Sequence, residues 1–296
     1  MNKALYGYPP PRLATYVGTQ VSPLVPGAAA LEAVASGSLD RLVMLASAGV
    51  AERRYALATG LVALKVGGVL TVLAPKTAGG SRLKAELEAF GCAPQETAKA
   101  HYRICMINRP ATLIDIEAAL AGGRPRTLAD GTWTQPGVFS WDRIDPGSAL
   151  LMSVLPSLAG KGADLGCGLG LLSTAVLASA KVEQLVMIDV DRRAIEAARR
   201  NVLDPRAKIL WADARNTPLE GLDFVVMNPP FHEAGKADAG LGATFIDKAS
   251  AALRKGGVCW MVANRQLPYE AVLAPRFSAV TLKAQTGLYK VYEARR

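Results

Sequence analysis

The sequence predicts an α/β protein in two related parts, the second built on a doubly wound parallel sheet. Half of its 296 residues are hydrophobic, which is enough to bury a sizeable core. Residues 137–296 alternate short apolar runs with helical patterns, the order that a parallel sheet requires. Residues 63–74, ALKVGGVLTVLA, recur as ALRKGGVCWMVA at 252–263 with six of twelve positions identical. Each copy reads as a helix end, a Gly-Gly turn and a buried strand, so two related α/β units are expected.

The elements follow in order. The opening MNKALYGYPPPR holds three consecutive prolines and no apolar run, so it reads as an extended arm rather than a signal peptide. RLVMLASAG at 41–49 and QLVMIDVD at 184–191 look like similar strands upstream of the two repeats. Gly122-Gly123-Arg124-Pro125 and Asp130-Gly131 break the periodicity. The boundary is therefore set near residue 130, giving domains 1–130 and 131–296. In the second domain, Gly162–Cys167, Gln184–Val190, Lys208–Ala212, Leu222–Met227 and Val258–Ala263 read as strands. Helices are expected over Leu171–Ala180, over RRAIEAARRN with Asp191 as its N-cap, and over Ala239–Arg254. Ala279–Lys283 and Leu288–Tyr292 form a closing pair.

Composition narrows the function. Charged residues make up 20% of the chain, too few relative to the apolar content for disorder. No apolar run reaches the roughly 20 residues of a bilayer span, so no membrane partner is expected. The net charge of +9 is spread over both halves, which suits a polyanion such as RNA. Cys92, Cys105, Cys167 and Cys259 lie far apart without a CxxC pair, and only His101 and His232 could join them. No metal site is expected, and a reducing cytoplasm fits.

Four motifs carry chemistry. Asp164-Leu165-Gly166-Cys167-Gly168-Leu169-Gly170 ends a strand and opens a helix. Its GxGxG spacing differs from the GxGxxG of dinucleotide-binding turns. Its acid would repel a pyrophosphate but bind an amine, which points to S-adenosylmethionine. Cys167 reads as packing, since no activating base neighbours it. Asp189, 25 residues after Asp164 at the end of the next strand, can accept both ribose hydroxyls. Asp213, after the following strand, can accept an adenine amine or be a solvated turn acid.

The sharpest motif is Asn228-Pro229-Pro230-Phe231-His232, directly after the strand 222–227. The prolines stiffen the backbone and remove two N–H donors. The Asn228 side-chain oxygen and the Pro229 carbonyl can then hold the two hydrogens of a planar amine. Phe231 can stack on an extruded base. His232 either lines the pocket, contacts RNA or is a satisfied surface histidine.

The second domain resembles the class I S-adenosylmethionine-dependent methyltransferases, most specifically the ribosomal RNA guanine-N2 methyltransferases (the RsmC/RlmG-like group). The resemblance rests on GVFSWDRIDPGSALLMSVLP at 137–156, DLGCGLG at 164–170, NPPFH at 228–232, VANRQLPYE at 262–270 and GLYKVYEA at 287–294. It implies a Rossmann-like domain with a seven-stranded, mostly parallel sheet, preceded by a smaller, degenerate methyltransferase-like α/β domain that binds RNA and supports folding. It implies that Ser140, Asp142, Asp164, Gly166, Cys167, Gly168, Gly170, Asp189, Asp213 and Asn228 bind S-adenosylmethionine, with Phe139–Asp142 closing the pocket. Asn228, Pro229, Pro230 and Phe231 would receive the guanine amine. The partner would be ribosomal RNA or the small ribosomal subunit, and two domains in one chain suffice for a monomer. The same proline corner also serves adenine N6 and protein glutamine as acceptors. An RNA-binding assembly factor with a relict pocket is the non-enzymatic alternative, and a nicotinamide-dependent oxidoreductase is disfavoured by the glycine spacing.

Overall fold

The computed structural model describes residues 2–14, 17–230, 232, 233, 236, 237 and 239–296, of which 232, 233, 236, 237 and 239 by backbone only. Its contacts divide the chain into two compact units, one of Met1–Pro125 with Gln135–Gly137, the other of Arg126–Thr134 with Val138–Arg296. The division therefore runs through the segment 126–137 rather than at one residue.

The first unit contains β1 (Lys3–Tyr6), β2 (Thr19–Gln20), β3 (Leu39–Leu45), α1 (Val50–Ala63), β4 (Leu64–Pro75), α2 (Leu83–Ala89), β5 (Gln95–Lys99), β6 (Tyr102–Asn108) and α3 (Ile116–Gly123). Its sheet runs β2-β1-β3-β4-β6-β5, parallel as far as β4 and antiparallel beyond. Leu57 and Leu61 of α1 join Leu42, Met44, Leu70 and Val72 of the sheet in one core. An ion pair is buried beside it. Arg53, with no exposed surface, makes two 2.7 Å hydrogen bonds to Glu86 and donates to the carbonyls of Ser47 and Ala48, just past β3.

The second unit contains β7 (Arg126–Thr127), β8 (Trp133–Thr134), α4 (Pro146–Val154), β9 (Gly160–Leu165), α5 (Leu171–Leu177), β10 (Val182–Asp189), α6 (Arg192–Asn201), β11 (Ala207–Trp211), β12 (Leu222–Met227), β13 (His232–Glu233), β14 (Lys236–Ala237), α7 (Ala239–Ala252), β15 (Leu253–Asn264), α8 (Tyr269–Leu273), β16 (Ala279–Gln285) and β17 (Tyr289–Arg295). Its seven-stranded sheet runs β11-β10-β9-β12-β15-β17-β16. All neighbours are parallel except those of β17. Asp191 caps α6 as expected, accepting the Arg193 N–H at 2.9 Å.

The internal repeat is present in three dimensions. β4 and β15 are both 12 residues long, each parallel to one neighbour and antiparallel to the other. The strands upstream need a correction. The sequence match aligns 41–49 with 184–191, but β3 pairs directly with β4, as β12 does with β15. β3 is therefore the counterpart of β12, not of β10. Buried parallel strands share a near-continuous apolar composition, so sequence alone cannot tell neighbours in such a sheet apart.

The chain leaves β9 outward through β10 and β11, then returns to place β12 on the other side of β9. Ligands of doubly wound sheets sit beyond the carboxyl ends of the strands at this reversal. The loops there are 166–170, after β9, and the one that begins at Asn228, after β12.

Candidate active site

The glycine loop is fixed by its own backbone. Gly166, Gly168 and Gly170 all have positive φ, at 84°, 53° and 87°, a region that side chains rarely tolerate. The N–H groups of Gly166 and Cys167 donate to the Ile188 carbonyl at 2.8 and 3.0 Å. Asn201, the last residue of α6, donates to the carbonyls of Leu169 and Trp133 and accepts the Trp133 N–H. One side chain thus ties the loop to β8.

The acidic residues do different jobs. Asp164 stands near the end of β9 with 1% of its surface exposed, and its Oδ2 accepts from Ser173 at 2.6 Å. Burial, with a smaller push from the Asp189 charge, raises its pKa to about 7 against the pull of the Ser173 hydroxyl. Asp189 supports the loop: its Oδ2 accepts the Gly168 N–H and its Oδ1 the Asp191 N–H, each at 2.9 Å. Burial raises its pKa to about 6, opposed by those N–H donors. Asp213 is held by Arg215, whose guanidinium lies 2.8–3.0 Å from both carboxylate oxygens, and that hydrogen bond lowers its pKa.

At the end of β12, both hydrogens of the Asn228 amide are taken. Nδ2 donates to Asp145 Oδ2 and to Ser148 Oγ, each at 2.9 Å. A carboxylate accepts and does not donate, so the amide can face only one way. Its Oδ1 is buried and has no hydrogen-bond partner among the described residues. Such an atom is costly to leave unsatisfied in a native fold. Asp145 is itself the N-cap of α4, accepting the Ser148 N–H at 2.7 Å ahead of Pro146.

These groups share one pocket. Asp164, Gly166, Cys167, Gly168, Asn228, Asp145 and Ser148 line it, with Phe139, Ser140 and three leucines. No lysine or arginine is among the described lining residues, which suits a ligand without phosphates. Phe139 is 62% exposed at its edge, and Ser140 holds a left-handed φ of 52°. Asp142 is exposed and 3.7 Å from Arg143. Asp142, Gly170, Asp189, Asp213, Pro229 and Pro230 lie outside the lining set. Phe231 and the side chain of His232 fall outside the described residues. Sequence reasoning missed Asp145, Ser148 and Ser173. An Asp-Pro-Gly-Ser start marks a helix N-terminus, but nothing local links it to a residue 83 positions away.

All four cysteines are buried free thiols. Burial pushes Cys92 and Cys105 up to about 11, Cys259 to about 12 and Cys167 well above its ordinary value. No helix among the described residues is long and apolar enough to cross a membrane. No described group of three or more His, Cys, Asp or Glu could hold a metal ion.

Comparison with known proteins places the second unit. The model of the methyltransferase small domain matches residues 131–293, more than half of the chain. The chain belongs to the methyltransferase small domain family. Its relatives include the ribosomal RNA small subunit methyltransferase C of Salmonella arizonae, 37% identical over 166 residues, covering 54% of this chain and 47% of that protein. The Shewanella loihica protein of the same name is 32% identical over 162 residues, with the same coverage of each chain. The chain thus matches about half the length of these curated relatives. The solved structure of T. thermophilus 16S rRNA N2 methyltransferase (RsmC), in complex with AdoMet and guanosine, superposes with a TM-score of 0.78 at 23% identity, over 100% of this chain and 88% of that one. The methyltransferase small domain here has the class I methyltransferase fold, preceded by a smaller α/β unit.

Proposed function

We propose that the protein transfers a methyl group from S-adenosylmethionine to the exocyclic N2 of a guanine in ribosomal RNA. One observation carries this reading: Asn228 Oδ1 is buried, has no partner among the described residues and is held by Asp145 and Ser148 in the wall of the glycine-loop pocket. An acceptor held there in advance fits a planar NH2 group, whose hydrogen it takes without reorganising. The names of the relatives support small-subunit rRNA as the substrate, and the guanosine bound to the similar structure supports guanine as the acceptor.

The residues present fit the cofactor. Asp164 offers a carboxylate to an ammonium, and the positive-φ glycines bring bare backbone close to a ligand. The cofactor's sulfonium supplies an electrophilic methyl group. Asp189 and Asn201 hold the glycine loop in place, Phe139 and Ser140 line the pocket, and the segment from Phe139 to Asp142 is assigned to its closure. Asn228 and the Pro229 carbonyl orient the acceptor amine, and stacking on its base is assigned to Phe231 from the sequence motif alone. The site works by positioning and by electrostatics rather than by a strong base. Asp213 is assigned to the adenine amine through whatever acceptor capacity Arg215 leaves. The first unit, with its share of the basic charge, is assigned to RNA contact.

The test is methylation of rRNA and small subunits by the purified chain with labelled S-adenosylmethionine, followed by mass analysis of the nucleosides. N2-methylguanosine is the expected product. Label in N6-methyladenosine, or in protein instead, overturns the guanine assignment, and absence of label under conditions of measured cofactor binding overturns the activity.

A further inference from the structure

Asn228 is neutral, yet the nitrogen its oxygen faces in the proposed reaction turns cationic. Methyl transfer to the amine forms one N–C bond and breaks one C–S bond, whose electron pair stays on the departing thioether. The nitrogen carries the positive charge until one of its protons passes to water. A formal negative charge close to that nitrogen would favour the step, and the structure places one directly behind the asparagine.

Asp145 is only 9% exposed, so water screens its charge weakly. Its Oδ2 accepts from Asn228 Nδ2 at 2.9 Å. The carboxylate is held tightly. It caps α4 through the Ser148 N–H. At Gly147 an added Cβ would stand 3.0 Å from Asp145 Oδ2 and 2.9 Å from the Tyr289 ring. An amide transmits charge: drawing on its N–H shifts electron density along the N–C–O system to the oxygen, and linked hydrogen bonds polarise one another. The second Nδ2 hydrogen goes to Ser148 Oγ, and because the Asp145 carboxylate can only accept, the group cannot flip to relieve the arrangement.

We propose that Asp145 is a positioning residue for methyl transfer, which fixes the flip of Asn228 and, through its amide, puts additional negative charge on Oδ1 facing the acceptor nitrogen. This rests on the methyltransferase reading above. It also explains how a neutral asparagine can serve where charge develops.

Asp145→Asn tests it, because asparagine still caps a helix and accepts a hydrogen bond but has lost the charge. The expected result is a kcat lower by about ten- to a hundredfold, with KM for RNA and cofactor affinity within about threefold of the parent and an unchanged unfolding temperature. A parental kcat in Asp145→Asn, or a loss shared equally by cofactor affinity or folding, overturns the proposal.

A second measurement does not need activity. In the nuclear magnetic resonance spectrum of the protein, one Asn228 Nδ2 proton should lie downfield of ordinary side-chain amides and move back in Asp145→Asn. An ordinary position in the parent overturns the proposal. A shifted proton in a parent that methylates no rRNA overturns the proposed function instead and leaves the polarised amide standing.

Discussion

Replacing Asp164 by asparagine separates what the buried carboxyl costs the fold from what it does for the cofactor. The group titrates at about 7 against an ordinary 3.8, chiefly because it is buried. That difference is worth about 4 kcal/mol between its two protonation states. The native state therefore keeps a proton that the unfolded chain has released between about pH 4 and pH 7. Its contribution to stability is fully present below the unfolded value and is lost as pH rises through about 7. Asparagine keeps the shape and can still accept from Ser173, but it carries no charge. Parent and variant should unfold at similar temperatures near about pH 4, whereas near about pH 8.5 the variant should be more stable by about 1–4 kcal/mol. Scanning calorimetry at both pH values measures the gap, and the comparison cancels every other titrating group. Cofactor binding should change in the opposite sense. An ammonium needs the ionised carboxylate, so parental affinity should fall about tenfold per pH unit below about pH 6, and the variant should bind weakly throughout. A stability gap that does not vary with pH refutes the reasoning, as does full-strength cofactor binding by Asp164→Asn.

Asn228→Ala removes the unpartnered oxygen, and methyl incorporation should drop by at least about a hundredfold while calorimetric binding of S-adenosylmethionine largely survives. Arg53→Met leaves the Glu86 carboxylate buried and alone, which should destabilise the first unit by about 3–5 kcal/mol in urea unfolding; Arg53→Met/Glu86→Leu should recover most of that. Gly170→Ala forces a side chain into φ 87° with its Cβ 2.7 Å from Val202, so it should cost about 1–3 kcal/mol and weaken cofactor binding in the same titration.

The parts of this molecule that were legible in its sequence are the parts set by local rules. A glycine must stand where φ is positive, an aspartate where α6 needs a cap, and apolar runs where strands are buried on both faces. DLGCGLG, Asp191 and the strands of the second unit were readable for those reasons. The loop after β12 was readable because two prolines announce a stiff corner. What stayed hidden depends on contacts far apart in the chain. Asp145 meets Asn228 across 83 positions, Ser173 reaches Asp164 from the next helix, and Arg53 finds Glu86 33 positions away. Neighbour order was hidden too, since β3, β10 and β12 are alike in composition. Asp189 shows a subtler limit. Its place at a strand end was evident, but its backbone donors, which make it a support for the glycine loop, emerge only from the turn geometry.

The repeat gives the two units the same scaffold, and the ends of the equivalent strands β3 and β12 show how one copy can specialise. Past β3, Arg53 fills the space with a guanidinium that satisfies two loop carbonyls and pairs with Glu86. One polar atom there, the Ser47 hydroxyl, is buried without a partner among the described residues. Such a neutral hydroxyl costs far less than an unpaired charge. Past β12 no cation intrudes on the described side chains. Two side chains from α4 and its cap instead spend both amide hydrogens of Asn228 and leave its oxygen waiting. The first arrangement closes a strand end; the second keeps one open at the expense of an unsatisfied acceptor. A fold tolerates that expense where a ligand will satisfy the atom. Substituting a closed end for the open one should therefore stabilise the second unit and end its chemistry, a trade that follows from the hydrogen-bond count at one asparagine.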